Sequence, residues 1–456
     1  MIDRRRFLQC VVAAAAAPVA GCQTQPNKSM ATDLRPDPNQ LLDLPDGFSY
    51  TVVSRHGDSM SDGLVVPGEH DGMAIFDGEN GRLIIVCNHE LEPTSMVGAF
   101  GDNYLALPES TKSRIYDRGG DLTPHLGGTT TTIYDPVSRQ TERQFLSLVG
   151  TEYNCAGGKT PWGSWLSCEE SFTGIGTVKS EPGTEVTSDQ RHGYIFEVPA
   201  TATELVNAVP LKQMGRFQRE AAAVHVATGI IYQTEDQWHS LFYRFLPDVP
   251  GELHKGGRLQ ALAIVDEPGK VTHNWDRVDI AVGKPLETYW IDLDDVDGDK
   301  DDLRLRGAAL GAATFARGEG LTVADNDFAF ACTIGGPAKL GQVFVYEPSP
   351  FEGTEREQES PGHLRLLAEG SEESVFRNCD NLTQAPWGDL IVCEDTSAAS
   401  CGLVGVRPDG SQYRIANNAY SDSEVAGVCF SPDGKIMFVN IQYPGITLAV
   451  TGPWPN

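Results

Sequence analysis

Three acidic pairs, Glu169-Glu170, Glu235-Asp236 and Glu394-Asp395, each follow directly on a short run of residues suited to a buried strand. Glu90 closes a fourth run, through Asn88-His89-Glu90, and two more stop at Thr333 and Asn440. Repeated in register, this placement would bring like ends of several strands to one centre. Carboxylates gathered there raise one another's pKa and cannot all ionise unless cations share the space. The chemistry expected is therefore cation binding through hard oxygen ligands. Cys155 adds a softer donor, in the Gly-rich turn Asn154-Cys155-Ala156-Gly157-Gly158. A thiolate among acids would suit a transition metal; the alternative is an inert turn cysteine.

The elements that must position these groups are short strands. The runs are Leu83-Ile84-Ile85-Val86-Cys87, Trp165-Leu166-Ser167-Cys168 and Ile230-Ile231-Tyr232-Gln233-Thr234, then Phe328-Ala329-Phe330-Ala331-Cys332, Leu390-Ile391-Val392-Cys393 and Ile436-Met437-Phe438-Val439. They recur at uneven intervals of roughly 50 to 100 residues, close to the blade size of a propeller with inserted loops. Turn signals such as Asp77-Gly78, Asn80-Gly81, Asp409-Gly410 and Asp433-Gly434 separate strand from strand. Residues 217–226 and 308–313 are the nearest helical candidates, and both are brief. An all-β, six-bladed β-propeller is predicted over residues 45–456 as a single domain, with a generic β-sandwich as the competing architecture.

The chain has 456 residues, with 35 basic against 63 acidic and a formal charge of −28. Such a surface repels a phosphate backbone, which excludes sequence-independent nucleic-acid binding. It repels a small phosphate ester as well, unless bound cations invert the local sign. At the N-terminus, Arg4-Arg5-Arg6-Phe7-Leu8 and the apolar stretch 11–20 resemble a twin-arginine export signal. Val19-Ala20-Gly21-Cys22 resembles a lipoprotein cleavage site. Residues 1–22 are thus expected to direct export to the periplasm or to outer-membrane anchoring through an acylated Cys22, with 23–44 as a flexible tether. Of the eight later cysteines, Cys87, Cys168, Cys332 and Cys393 take matching places in the strand runs and are expected to be buried and unpaired. Cys379 and Cys401 could form a disulfide.

Several familiar motifs fail. Gly158-Lys159-Thr160 is no phosphate loop, because Tyr153 stands at the first glycine position and Pro161 follows at once. The sequence has no G-x-S-x-G elbow and no H-E-x-x-H. His89 is the only histidine inside a candidate site cluster, and is expected to be buried and satisfied. The acidic segment 292–302 would place Leu293 and Arg304 at the ends of an EF-hand register, so it reads as a solvated loop, with a peripheral calcium site as the alternative.

Taken in combination, the twin-arginine start, Asn88-His89-Glu90-Leu91, segment 154–170 and Gly215-Arg216-Phe217-Gln218-Arg219-Glu220 resemble the PhoX-type bacterial alkaline phosphatases. So do Thr234-Glu235-Asp236, Phe315-Ala316-Arg317-Gly318-Glu319-Gly320 and Cys393-Glu394-Asp395. The resemblance covers most of the exported chain. It implies a six-bladed propeller with Ca2+ and Fe3+ clustered in its central channel, hydrolysing phosphate monoesters. Carried over by position, Cys155 would be the iron thiolate and Glu235 an iron-bridging carboxylate. Glu170 or Glu169, Glu319 and Asp395 would hold calcium, with Glu90 and Glu394 nearby. Arg317, Asn154 and Arg219 would contact substrate, and Arg317, Glu235 and Cys155 would form the catalytic set. If their segment is extended, Arg317 and Glu319 share a face, so one could hold a cation while the other grips a phosphoryl oxygen; an ion pair between them is the alternative. Arg216 and Arg219 either line the channel mouth or pair with Glu220. The expected partner is a small phosphate ester, with the protein a monomer. A calcium-dependent lactonase, a phosphodiesterase and a non-catalytic envelope-binding propeller are the competing functions.

Overall fold

Six of the strands found in the computed structural model coincide with the runs read from the sequence: Leu83–His89, Ser164–Cys168, Ile231–Glu235, Asp327–Cys332, Leu390–Glu394 and Ile436–Ile441. Each pairs antiparallel with a strand that lies further inward. These inner strands are His70–Asp77, Gly157–Lys159, Arg219–Val224, Gly318–Ala324, Cys379–Gln384 and Val425–Phe430. They neighbour one another in chain order around a ring, and the last returns to the first. The chain is all-β, with the radial arrangement of a β-propeller. The structure describes residues 33–455 apart from 102, 103, 105, 106, 121, 122, 180–184 and 397–400. The export and anchoring segment read at 1–22, Cys22 included, lies outside the described residues.

Crowding at the axis dictates the composition of the inner strands. A Cβ on Gly72 would lie 2.5 Å from the Ala156 Cα, and one on Gly320 would lie 2.5 Å from the Asn381 Cα. Neighbouring backbones approach so closely that only glycine fits at these positions. The same demand accounts for Ala221-Ala222-Ala223. Residues 217–226, expected as a short helix, therefore form an inner strand: alanine here answers to space at the axis, and tertiary packing overrides helix propensity. The second helical expectation is partly met, since a helix spans Leu303–Leu310 and ends at Gly311 in the left-handed conformation.

Between neighbouring sheets the core is apolar and largely aromatic or β-branched. Phe242, Phe330 and Phe344 stack in sequence, with ring centroids 4.5 and 5.3 Å apart. Cys87, Cys168, Cys332 and Cys393 are buried and unpaired. Cys379 and Cys401 are unpaired too: their thiols donate to the Gln342 and Glu394 carbonyls at 3.3 and 3.1 Å.

Two edges are managed by strand addition. Ser49–Arg55 pairs with Ile446–Thr451, so the final sheet takes its outer strand from the start of the domain and locks the ring. Leu34–Arg35 and Leu42–Pro45 join the outside of the sheet begun by Cys379–Gln384, with Leu42 opposite Asn418. Part of the expected tether is thus structured, because Leu41, Leu42 and Leu44 bury their side chains there. Elsewhere, Pro285–Asp292 pairs with His363–Glu369 and merges two units into a nine-stranded sheet.

Candidate metal centre

Five of the six inner strands carry a β-bulge close to their first residues, at positions 70–73, 219–222, 318–321, 379–382 and 426–429. Four acids fall inside these bulges: Asp71, Glu220, Glu319 and Asp380. A bulge interrupts the ladder and re-aims a side chain; here all four carboxylates enter one cavity at the end of the channel. Glu424 enters from the residue just before the sixth inner strand, and Cys155 from just before the short inner strand Gly157–Lys159. The second strands contribute the residues past their ends, namely Glu90, Glu170, Asp236 and Asp395. Nine carboxylates, one thiol and the Arg317 guanidinium thus surround a cavity of about 90 Å³.

Within it, three groups each bring their ligand atoms to within 4.8 Å of one another: Cys155, Glu170 and Glu220; Glu220, Glu319 and Asp380; and Asp71, Glu90 and Glu424. Burial, followed by repulsion from neighbouring carboxylates, holds Asp71, Glu170, Glu220, Glu319 and Glu424 well above the usual carboxylate range. Glu90 behaves alike, and Asp380 is pushed up to about 8 by burial and by Asp395. Burial and Glu220 likewise raise the Cys155 thiol. Protein donors offset little of this charge. The Gln442 amide donates to Glu90 at 2.6 Å, and the Asn381 amide to Asp380 and Glu220 at 3.1 and 3.3 Å. Asp71 Oδ1 is buried without a hydrogen-bond partner. Such a set fits divalent or trivalent cations: hard oxygens for calcium, and a thiol for a softer ion.

Arg317 is the one basic side chain among the residues lining this cavity. Its φ of 57° departs from an extended strand. Its Nε and Nη2 fork onto Asp236 at 2.7 and 2.5 Å, and Nη2 lies 3.4 Å from Glu319. Ion pairing, with Asp236 as the main partner, and proximity to the other cavity carboxylates therefore coexist, and about a third of the side chain remains exposed.

Of the residues singled out from sequence, Cys155, Glu90, Glu170, Glu319, Asp395 and Arg317 come together here. Glu169, Glu235, Glu394, Asn154 and Arg219 do not line the cavity. Glu169 accepts from His192 Nδ1 at 2.7 Å and from the Gly193 and Tyr194 amides at 2.8 and 3.0 Å. Glu235 accepts from the Tyr243 hydroxyl at 2.7 Å; burial raises it to about 7 even against that bond and the Arg304 charge. Glu394 accepts from the Arg377 amide at 2.8 Å and the Gly402 amide at 3.0 Å, and pairs with Arg414. In each acidic pair the first carboxylate faces the sheet and the second the channel, because side chains alternate at a strand end.

Asn154 is occupied by the Thr151 and Ser167 hydroxyls at 2.6 and 2.9 Å. Arg219 alternates with Glu220, so its guanidinium points away from the cavity and is spent on Gln233 and the Gly193, Met214 and Gly215 carbonyls. Arg216 is likewise buried on backbone carbonyls, so neither arginine lines the mouth or pairs with Glu220. His89 is buried, with Gly68 O at 2.8 Å and the Thr130 hydroxyl at 2.9 Å. The acidic segment 292–302 is pinned rather than free: Arg191 binds Asp297 and Asp299, and the Tyr194 hydroxyl donates to Asp297 at 2.6 Å.

Sequence reasoning missed Asp71, Glu220, Asp380 and Glu424 as cavity residues, and of the pair Glu235-Asp236 it gave the metal role to Glu235, whereas Asp236 lines the cavity. The signal available was an acid set beside a small or amide residue, as in Asp71-Gly72, Glu220-Ala221, Glu319-Gly320 and Asp380-Asn381. It also missed a second buried cluster in which the parallel rings of His125 and His192, 4.8 Å apart, lie among Asp117, Glu152 and Glu169. There the carboxylates are compensated. Hydrogen bonding to His125 and the two imidazole charges outweigh burial and hold Glu152 at about 2. Glu169 and Asp117 likewise outweigh burial at His192, which rises to about 10.

A β-propeller with an uncompensated acidic centre at one end of its channel defines a cation-dependent class of protein. The alkaline phosphatase PhoX family model matches residues 30–445, and the chain belongs to that family. It is a hydrolase of the phosphatase class. Among solved structures it is similar to Pseudomonas fluorescens PhoX in complex with vanadate, a transition state analogue, at 18% identity and a TM-score of 0.67, over 93% of this chain and 98% of that one. It is also similar to a gluconolactonase, XC5397 from Xanthomonas campestris, at 12% identity and a TM-score of 0.42, over 94% and 99% of the two chains. No curated protein matches.

Proposed function

We propose that the protein hydrolyses phosphate monoesters at a calcium- and iron-containing centre in the cavity lined by Asp71, Glu220, Glu319, Asp380 and Cys155. The observation that carries this reading is the charge imbalance: nine carboxylates and a thiol face one guanidinium in about 90 Å³. Cys155, with Glu170 and Glu220, is the group suited to iron, because it alone offers sulfur. Glu220, Glu319 and Asp380, and Asp71, Glu90 and Glu424, offer oxygens alone and suit calcium. Bound cations would supply the positive charge that admits a phosphate and the Lewis acidity that phosphoryl transfer requires.

The chain's own part is positioning. Asp236 orients the Arg317 fork, and the partly exposed guanidinium meets the phosphoryl oxygens of an incoming ester. Asn381 and Gln442 hold Asp380, Glu220 and Glu90 in place. In the overall reaction, water adds to phosphorus, the P–O bond to the alcohol breaks, and the alcohol leaves carrying a proton. The vanadate bound by the Pseudomonas relative, a mimic of the phosphoryl transition state, agrees with this reading. The ring of six inner strands is read as six blades, and export with lipid anchoring at Cys22 remains part of the proposal. The test is turnover of p-nitrophenyl phosphate at alkaline pH before and after calcium chelation. Loss of turnover on chelation and its return with added calcium support the reading. Full activity in metal-free protein refutes it.

A further inference from the structure

Two residues beyond Asp236 the chain presents an aromatic surface that the metal centre does not use. Trp238 is exposed and sits edge-on to Trp275, with centroids 5.7 Å apart. His239 packs on His273 at 4.9 Å, and His273 on Trp275 at 4.2 Å, which extends the surface into a continuous stack of rings. The exposed Lys339 holds its ammonium 5.6 Å from the Trp238 ring and 5.1 Å from the Trp275 ring. An exposed tryptophan costs solvation without adding to the core, so an aromatic shelf of this kind invites an external partner.

The shelf is fixed to the rim of the phosphate-gripping site. The Arg317 amide donates to the Gln237 carbonyl at 3.0 Å, directly beside Trp238. The Arg317 carbonyl accepts from Thr333, and the carbonyl of the next residue, Ile334, accepts from the Trp275 indole at 2.6 Å. Below, Ser240 is tied to Phe315 by reciprocal backbone bonds at 3.1 and 2.8 Å. Arg317 and both indoles therefore share one braced piece of backbone. A ligand held by Arg317 at its phosphate would reach the shelf with whatever is esterified to that phosphate.

We propose that Trp238, backed by Trp275 and His239, binds the leaving group of the substrate, and that the preferred esters carry a planar ring one short spacer away from phosphate, as nucleoside 5′-monophosphates do. The inference rests on the phosphatase reading and deepens it. Trp238 stands two residues past Asp236, the residue that holds Arg317, so phosphate and ring are gripped by separate side chains and the ester needs a spacer such as a ribose between them. A base stacked on indole is held by its face and not by its edge, so purines and pyrimidines are both accepted. Lys339, long and exposed, swings off the indoles to admit the ring, and its charge favours an anionic ester.

The test compares Trp238→Ala and Trp238→Phe with the unaltered protein on 5′-AMP and glycerol 3-phosphate. Expected is a loss of about 10-fold or more in kcat/KM for 5′-AMP in Trp238→Ala, a change under about 2-fold for glycerol 3-phosphate, and substantial retention in Trp238→Phe. Equal losses on both esters, or none on either, overturn the proposal. Adenosine, which lacks the phosphate, should quench tryptophan fluorescence of the unaltered protein saturably and fail to do so in Trp238→Ala. Failure of the unaltered protein to cleave any ester would sink the phosphatase reading, while the adenosine titration still decides for or against the shelf.

Discussion

Glu235 and Asp236 are adjacent in sequence, yet their carboxylates end in different surroundings: Glu235 accepts from the Tyr243 hydroxyl at 2.7 Å inside the sheet, and Asp236 holds Arg317 at 2.7 Å at the cavity. The same offset separates Glu169 from Glu170 and Glu394 from Asp395. One residue of each pair maintains the sheet and the other faces the cavity.

Asp236→Asn should lower kcat/KM while leaving the melting temperature within a few degrees, because the guanidinium loses its charged fork in a partly exposed pair. Glu235→Ala should do the reverse. It leaves the buried Tyr243 hydroxyl without its acceptor, at a cost of about 1–3 kcal/mol, and leaves the iron and calcium content unchanged. Denaturation curves and elemental analysis of the two proteins check this. Metal loss confined to Glu235→Ala would contradict it.

Arg317→Ala should reduce kcat/KM by roughly 100-fold, the scale of one preorganised charge donor at a transition state, and weaken inhibition by inorganic phosphate. Arg317→Lys restores only part, since an ammonium cannot reproduce the fork. Steady-state kinetics with phosphate as inhibitor give the answer. A mutant that binds phosphate normally removes Arg317 from the substrate site.

His192→Gln should cost about 3–5 kcal/mol, the usual penalty for breaking a buried ion pair from one side. Asp117 and Glu169 then keep their charge without the imidazole between them, at 3.2 and 2.7 Å. Urea unfolding reads this directly. An unchanged midpoint would mean that the cluster is held by something other than this bridge.

Burial, with the neighbouring His239, lowers His273 to about 4 from its ordinary 6.5. A histidine kept neutral in the fold binds fewer protons than in the unfolded chain, so stability rises with pH between those values. The contribution is present above about pH 6.5 and is lost as pH falls towards 4, amounting to about 3 kcal/mol. Melting curves across that window should show the loss, and His273→Gln should lessen it by one histidine's share, since His89, also held at about 4 by burial, declines with it. A parallel decline in both proteins assigns the acid sensitivity elsewhere.

The second strands were legible because they are apolar and end in acids. Leu83–His89 and Leu390–Glu394 stand out from sequence alone. The inner strands were not, because crowding at the axis selects alanine and glycine, as in Arg219–Val224 and Gly157–Lys159, and these residues carry little strand signal. The bulges hid Asp71, Glu220, Glu319 and Asp380 further, since an extra residue breaks the two-residue alternation from which a facing side chain is read. Cys155 was legible as a possible soft donor in its Gly-rich turn, and resemblance to the family added Glu319 and Arg317; all three share the cavity. It also suggested Asn154 and Arg219, whose hydrogen bonds are all spent inside the protein.

The most direct test is to measure the iron and calcium bound per chain in native protein and in Glu220→Gln, whose carboxylate belongs to two of the three ligand groups. The unaltered chain should hold several ions, and the variant should lose more than one of them together with its activity. An unaltered chain that turns over phosphate esters with no bound metal, or a variant that keeps the full complement, would contradict this.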